Sequence, residues 1–123
     1  MVATANQRMA TGGYGEARAA RYLTEEQGMV VLDRNWRCEL GELDLVLRDH
    51  EVLVFCEVKT RRDARYGAPL EAVSEQKVAR LRRLAARWMQ ERAVHAEHVR
   101  IDLLGIRLDR GGQARFDHVR GVG

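Results

Sequence analysis

Apolar residues recur along this chain with two distinct periods, and the switch between them marks out the elements. The stretch from Thr11 to Gln27 is rich in Ala and Glu and places Ala17, Ala20 and Leu23 within one stripe that Tyr14 extends, so it predicts a first helix with Thr11 as N-cap and Gly28 as its stop. The β-branched run MVVLDRNW predicts a strand from Met29 to about Trp36. GELDLVLRDHEVLVFCEVK predicts two strands folded on each other, Glu42 to Leu47 and Val52 to Lys59, with Arg48 to Glu51 as the polar turn. A loop carrying Gly67 and Pro69 follows. Helical spacing then returns. Ser74 is a fitting N-cap, and Val78, Leu81, Leu84, Ala85, Trp88 and Met89 form one apolar stripe that leaves Arg80, Arg82, Arg83 and Arg87 on the other sides. Two last strands, His98 to Leu108 and Ala114 to Val119, are joined by Asp109-Arg110-Gly111-Gly112, where glycine permits positive φ.

The expected order is therefore α-β-β-β-α-β-β. A strand as continuously apolar as Leu53-Val54-Phe55-Cys56 implies that both faces of the sheet are covered, which predicts an α/β fold, a mixed sheet flanked by helices. A length of 123 residues with 46% hydrophobic and 32% charged residues suits one domain, read here as residues 11–120 behind a flexible tail at 1–10. No run approaches the roughly eighteen apolar residues of a membrane span, and MVATANQRMATGG lacks the apolar core of a signal peptide, so a cytoplasmic protein without membrane association is expected. Cys38 and Cys56 read as free thiols, since a domain of this size needs no staple. Zinc is disfavoured because there is no C-x-x-C and the four histidines show no ligand spacing with the cysteines.

Charge changes the picture through its distribution. Residues 60–92 hold nine Lys/Arg against four acids, while the rest of the chain is slightly acidic, a pattern expected of a polyanion-binding face and also met on solvated helices. Three acids are harder to place: Glu16 on helix one, Asp44 within Leu43-Asp44-Leu45-Val46-Leu47, and Glu57 directly after Leu53-Val54-Phe55-Cys56. Buried charge is costly unless it is paired or binds metal. Strand alternation puts Leu53, Phe55, Glu57 and Lys59 on one face. A turn centred on Asp49-His50 sets Arg48 opposite Glu51 and Asp44 opposite Phe55, making Asp44 and Glu57 diagonal neighbours about 7–8 Å apart, within reach of one hard cation. Cation choice is a further hint. The chain has nineteen arginines and two lysines, Lys59 and Lys77. A lone Glu-x-Lys is more often a solvated strand-end pair, but a compact ammonium also suits a scissile phosphate.

Glu16, the run Gly41-Glu42-Leu43-Asp44-Leu45, then Glu57-Val58-Lys59-Thr60-Arg61, Tyr66-Gly67 and a helix carrying Lys77 together resemble the YraN-like family of small bacterial proteins, from about Gly12 to the C-terminus. That family resembles a branch of the restriction-endonuclease-like superfamily, with its Asp followed by (Asp/Glu)-x-Lys, and is similar to archaeal Holliday-junction resolvases. The resemblance implies a restriction-endonuclease-like sheet and a Mg²⁺-dependent nuclease, with Mn²⁺ as a substitute, acting on DNA that is branched or single-stranded. It implies Asp44, Glu57, Lys59 and Glu16 as catalytic residues, with Asp44, Glu57, Glu16 and the carbonyl of Val58 as metal ligands. Lys77 at the start of helix two and Arg61, Arg62 and Arg65 in the following loop are then the candidates for phosphate contacts. Resolvase-like cleavage favours a homodimer with two sites facing two strands.

Other residues are assigned lesser roles. Glu42 lies near Asp44 and is kept as supporting. Asp102, in Val99-Arg100-Ile101-Asp102-Leu103, reads as a structural partner of a nearby arginine, and Trp36 and Trp88 as core. None of the four histidines sits in a nucleophile-activating arrangement. Two other functions compete with a nuclease: a non-catalytic nucleic-acid-binding protein on the same fold, and an interaction scaffold using strand edges or the helix-two stripe.

Overall fold

In the computed structural model, residues 15–61, 74–109 and 111–122 are described. Five strands form one sheet in chain order: β1 (Val30–Cys38), β2 (Gly41–Asp49), β3 (Val52–Arg61), β4 (His98–Leu108) and β5 (Ala114–Val119). β1, β2 and β3 pair antiparallel, β3 and β4 parallel, and β4 and β5 antiparallel. The parallel pair needs a crossover, which is supplied by α2 (Glu75–Arg92). The mixed sheet, the element order and the α/β class agree with the sequence pattern. Thr11, Tyr14, Gly67 and Pro69, like the tail at 1–10, lie outside the described residues.

The first helix, α1, is α-helical over 15–21 and widens to a π turn over Tyr22–Glu26. It stops at Gly28, whose φ of 71° lets the chain reverse into β1. Its buried stripe is Ala19, Ala20 and Leu23. Ala17, expected on that stripe, is exposed, because at about 3.6 residues per turn it lies roughly 120° around the helix from Leu23. Ser74 caps α2 as expected, its hydroxyl accepting the Lys77 N–H at 3.1 Å. Leu81, Leu84, Ala85 and Trp88 are buried, and Arg80, Arg82 and Arg83 are exposed.

The helices cover opposite faces. Leu53, Phe55, Val46, Trp36, Ile101 and Leu103 pack with α2, while Leu45, Leu47, Val54, Cys56, Leu104 and Ile106 pack with α1. Consecutive residues of β3 thus feed two cores, which is why the strand is apolar without interruption. Trp88 is held edge-on to Phe55, ring centroids 5.7 Å apart, and its indole N–H donates to Asp33 at 2.9 Å, so a large ring is buried with its polar atom satisfied. Both cysteines are free, Cys56 buried and Cys38 half-buried. No helix among the described residues is long and apolar enough to cross a membrane.

The hairpin register is a second correction. The β2–β3 hairpin turns on His50 and Glu51, so that Arg48 faces Leu53 and Phe55 faces Val46, two residues away from the expected register. His50 adopts φ 56°, which a two-residue loop demands, and Asp49 stays in the strand, where it pairs with Arg100 at 3.1 Å. A shift of two keeps every side chain on its face.

Asp102 is fully buried and fully partnered. It accepts from Arg100 Nε at 2.8 Å and from Gly121 N–H at 3.0 Å, and contacts His118 Nε2 at 2.8 Å. Burial would raise its pKa, but these hydrogen bonds outweigh it and hold the carboxyl below its ordinary value. The network ties the end of the chain to β4, helped by Val122 N–H donating to Ile101 O at 2.8 Å. Asp102→Ala leaves the Gly121 N–H and His118 without their acceptor and Arg100 with Asp49 alone, and urea titration is expected to show a loss of about 2–3 kcal/mol, the scale of leaving buried polar groups unpaired.

Candidate functional site

The β2–β3 ladder runs from Asp49↔Val52 to Leu45↔Cys56 and then stops. At the next position the Asp44 side chain takes over from the backbone: its Oδ2 accepts the Val58 N–H at 2.8 Å. The carboxylate is thereby inserted between the two strands. β1 adapts to the same point. Asn35, level with Asp44 between the pairs Arg34↔Leu45 and Trp36↔Leu43, adopts φ 52°, a strained backbone conformation that Asn tolerates better than most residues. Alternation breaks there as well, since Leu43 lies in the α2-side core and Leu45 in the α1-side core although they are two residues apart.

The break lets three acids converge. Carboxylate oxygens of Glu16, Glu42 and Asp44 lie within 4.8 Å of one another, all half-buried. Glu16 arrives from α1, which approaches the end of β3 so closely that a Cβ on Gly15 would collide with Thr60 Oγ1. Only glycine gives that approach, which explains the Gly15-Glu16 pair. Asn35 hydrogen-bonds Glu16, and Arg37 lies 3.3 Å from Glu42.

From the opposite helix comes Lys77. Its Nζ lies 3.0 Å from Glu57 Oε2, so Glu57 pairs with Lys77 rather than with its strand neighbour Lys59. Lys59 adjoins Lys77 in turn. Glu57 and Lys59 share the α2 face with Phe55, as alternation predicts, and Asp44 sits between them and the Glu16–Glu42 side. Arg61 ends β3 and is exposed, while Arg62 and Arg65 fall outside the described residues. Glu42, expected on Asp44's face as a competitor for the same role and kept there as supporting, is a full member of the acidic cluster. Its signal was there, two residues from Asp44 and on the same side of the strand.

The model of the uncharacterised protein family UPF0102 matches residues 15–106, most of the chain and every described residue of the cluster. The chain belongs to the UPF0102 family. This is the YraN-like family whose motifs the sequence carries. A UPF0102 protein of Nocardioides sp. is 61% identical over 98% of this chain and 97% of its own length. Relatives from Beutenbergia cavernae and Streptomyces coelicolor are 57% and 52% identical over 93% and 95% of this chain, and over 96% and 91% of their own lengths. Among solved structures, Pyrococcus furiosus SfsA in complex with Ca²⁺ aligns at 17% identity and a TM-score of 0.41, over 88% of this chain and 64% of that one.

Electrostatically, burial and mutual repulsion both act on the carboxylates of the UPF0102 cluster. Asp44 has its pKa raised from 3.8 to about 6, first by burial and then by Glu16, Glu57 and Glu42, with the Val58 N–H opposing. Glu16 is raised by burial and by Glu42, with Asn35, Arg34 and Arg37 opposing. On the other side, Lys59 is lowered, first by the Lys77 charge and then by burial.

The Asp44 shift has a thermodynamic consequence with a definite sign. The folded carboxyl holds its proton at higher pH than the unfolded one, so stability falls as pH rises from about 4 through about 6, and the loss is complete above that range. At about 1.4 kcal/mol per pH unit, the cost at neutral pH is on the order of 3 kcal/mol. Asp44→Asn keeps an acceptor for Val58 and removes the charge. Thermal melts without divalent metal are expected to show the variant more stable than wild type at pH 7–8, with the gain disappearing by about pH 4.

Proposed function

We propose that this protein is a metal-dependent nuclease that hydrolyses phosphodiester bonds in DNA. The observation that carries the reading is the Asp44 carboxylate, inserted between β2 and β3 beside Glu16 and Glu42, with Glu57 and Lys59 following on the adjoining strand. The position suits it. β3 and β4 flank the α2 crossover, and ligands of open α/β sheets bind beyond the carboxyl ends of such strands, where Glu57 to Arg61 lie.

The donor set fits a hard divalent cation. All of its side-chain ligands are carboxylates, with no Cys or His among the three clustered residues, and that selects Mg²⁺ or Mn²⁺ over zinc. The raised Asp44 pKa, set first by burial and then by the neighbouring acids, is the kind of perturbation that functional carboxylates show. In this reading Glu16, Glu42 and Asp44 hold the cation, and Glu57 and the Val58 carbonyl complete its shell. A bound Mg²⁺ supplies Lewis acidity at a phosphoryl oxygen and favours hydroxide near neutral pH. Lys59 donates to the attacked phosphate and offsets the charge that develops there. Lys77, Arg61, Arg62 and Arg65 contact backbone phosphates, which gives affinity without sequence preference and makes binding fall with salt.

Cleavage of labelled branched, single-stranded and duplex DNA tests the reading, with Mg²⁺, Mn²⁺ or chelator. Wild type is expected to cut at least one substrate only with metal. Glu57→Ala and Asp44→Ala are expected to lose at least about a hundredfold in rate, since removal of a ligand forfeits several kcal/mol of charge stabilisation. Both are expected to keep DNA binding, because fewer carboxylates repel phosphate less. Wild type that binds every substrate and cuts none overturns catalysis in favour of a binding protein.

A further inference from the structure

The chain's two lysines, 59 on β3 and 77 on α2, end up side by side, with Lys77 on the Glu57 carboxylate. Lys77 is the third residue of α2, and the Ser74 cap on its N–H fixes its backbone. From there the side chain reaches back to β3, where it is 3.0 Å from Glu57 Oε2. The two side chains are only 21% and 16% exposed, so little solvent screens them. Two ammonium groups stand together where Lys77 engages Glu57, and Glu16, Glu42 and Asp44 form the neighbouring cluster. A helix N-terminus adds partial positive charge to the lysine side.

Resting on the reading of Asp44 and Glu57 as metal ligands, we propose that Lys77 is an internal counter-cation: it holds Glu57 while no divalent ion is bound, and leaves it for a substrate phosphate when the ion arrives. The exchange breaks one ion pair and forms two ionic contacts, with no bond made or proton moved. It uses what distinguishes lysine from the arginine this chain otherwise prefers. An ammonium on a four-carbon stem is a point charge that can swing from one oxygen to another, whereas a guanidinium fork would grip Glu57 through two parallel bonds. Once released, Lys77 stays at the N-terminal turn of α2, where an anion is favoured.

The test is calorimetric titration of Mn²⁺ into the full chain, as wild type, Lys77→Met, Lys77→Arg, Glu57→Gln and Asp44→Asn, each with its fold verified by thermal melting. If Lys77→Met does not fold, Lys77→Gln takes its place, since it also lacks the charge. The neutral variant is expected to bind Mn²⁺ about fivefold tighter than wild type, the scale of freeing a carboxylate from a partly exposed ion pair. Lys77→Arg is expected to bind no tighter than wild type, and the two acid variants more weakly. If the acid variants weaken binding but the neutral variant binds no tighter than wild type, Lys77 is a fixed structural partner and the proposal falls alone. If wild type does not bind Mn²⁺, or the acid variants bind it as wild type does, the metal reading falls and takes the proposal with it.

Discussion

The hydrogen bond from Val58 N–H to Asp44 Oδ2 organises this molecule. A carboxylate does the work of a backbone carbonyl, so the ladder between β2 and β3 ends without leaving the Val58 N–H unpaired. The other irregularities gather around it. Asn35 accepts a positive φ on the facing strand, alternation breaks between Leu43 and Leu45, and Gly15 gives up a side chain so that α1 can approach Thr60. Each departs from regular geometry, and together they bring Glu16 and Glu42 to Asp44.

The rest of the fold supports that point from two sides. α1 and α2 cover opposite faces of the sheet, and each sends one charged residue to the end of β3: Glu16 from one face, Lys77 from the other. Surplus negative charge therefore stands next to surplus positive charge. Asp44 is costly in this setting, as its raised pKa shows, and the cost is tolerable because the two cores and the Asp102 network are well satisfied elsewhere. In the proposed reading, that cost is recovered when a cation binds the cluster.

Much of this was legible in the chain itself. The period of the apolar residues located every described element, and the uninterrupted Leu53 to Cys56 run announced a sheet covered on both faces, because an alternating pattern is needed only where one face meets water. Asp44, Glu57, Lys59 and Glu16 stood out because charge inside apolar strands or within a specific motif calls for an explanation. The expected hairpin register was two residues off, since turn geometry depended on whether His50 would take a positive φ, which composition does not settle. Ala17 was misplaced for a similar reason, as two overlapping stripes fit a short Ala-rich helix equally well.

What the sequence determined by itself was therefore the class of fold, the order of its elements and the residue types available for chemistry, all of which follow from local periodicity and from the cost of burying charge. Only the tertiary structure decided who meets whom. Glu57 turns to Lys77 across the gap between strand and helix instead of to Lys59 two residues away, and Glu16 reaches Glu42 and Asp44 because α1 packs closely against the end of β3. Both outcomes depend on the distance and angle between separate elements, and those are set by how two cores pack on one sheet, which no short window of sequence contains.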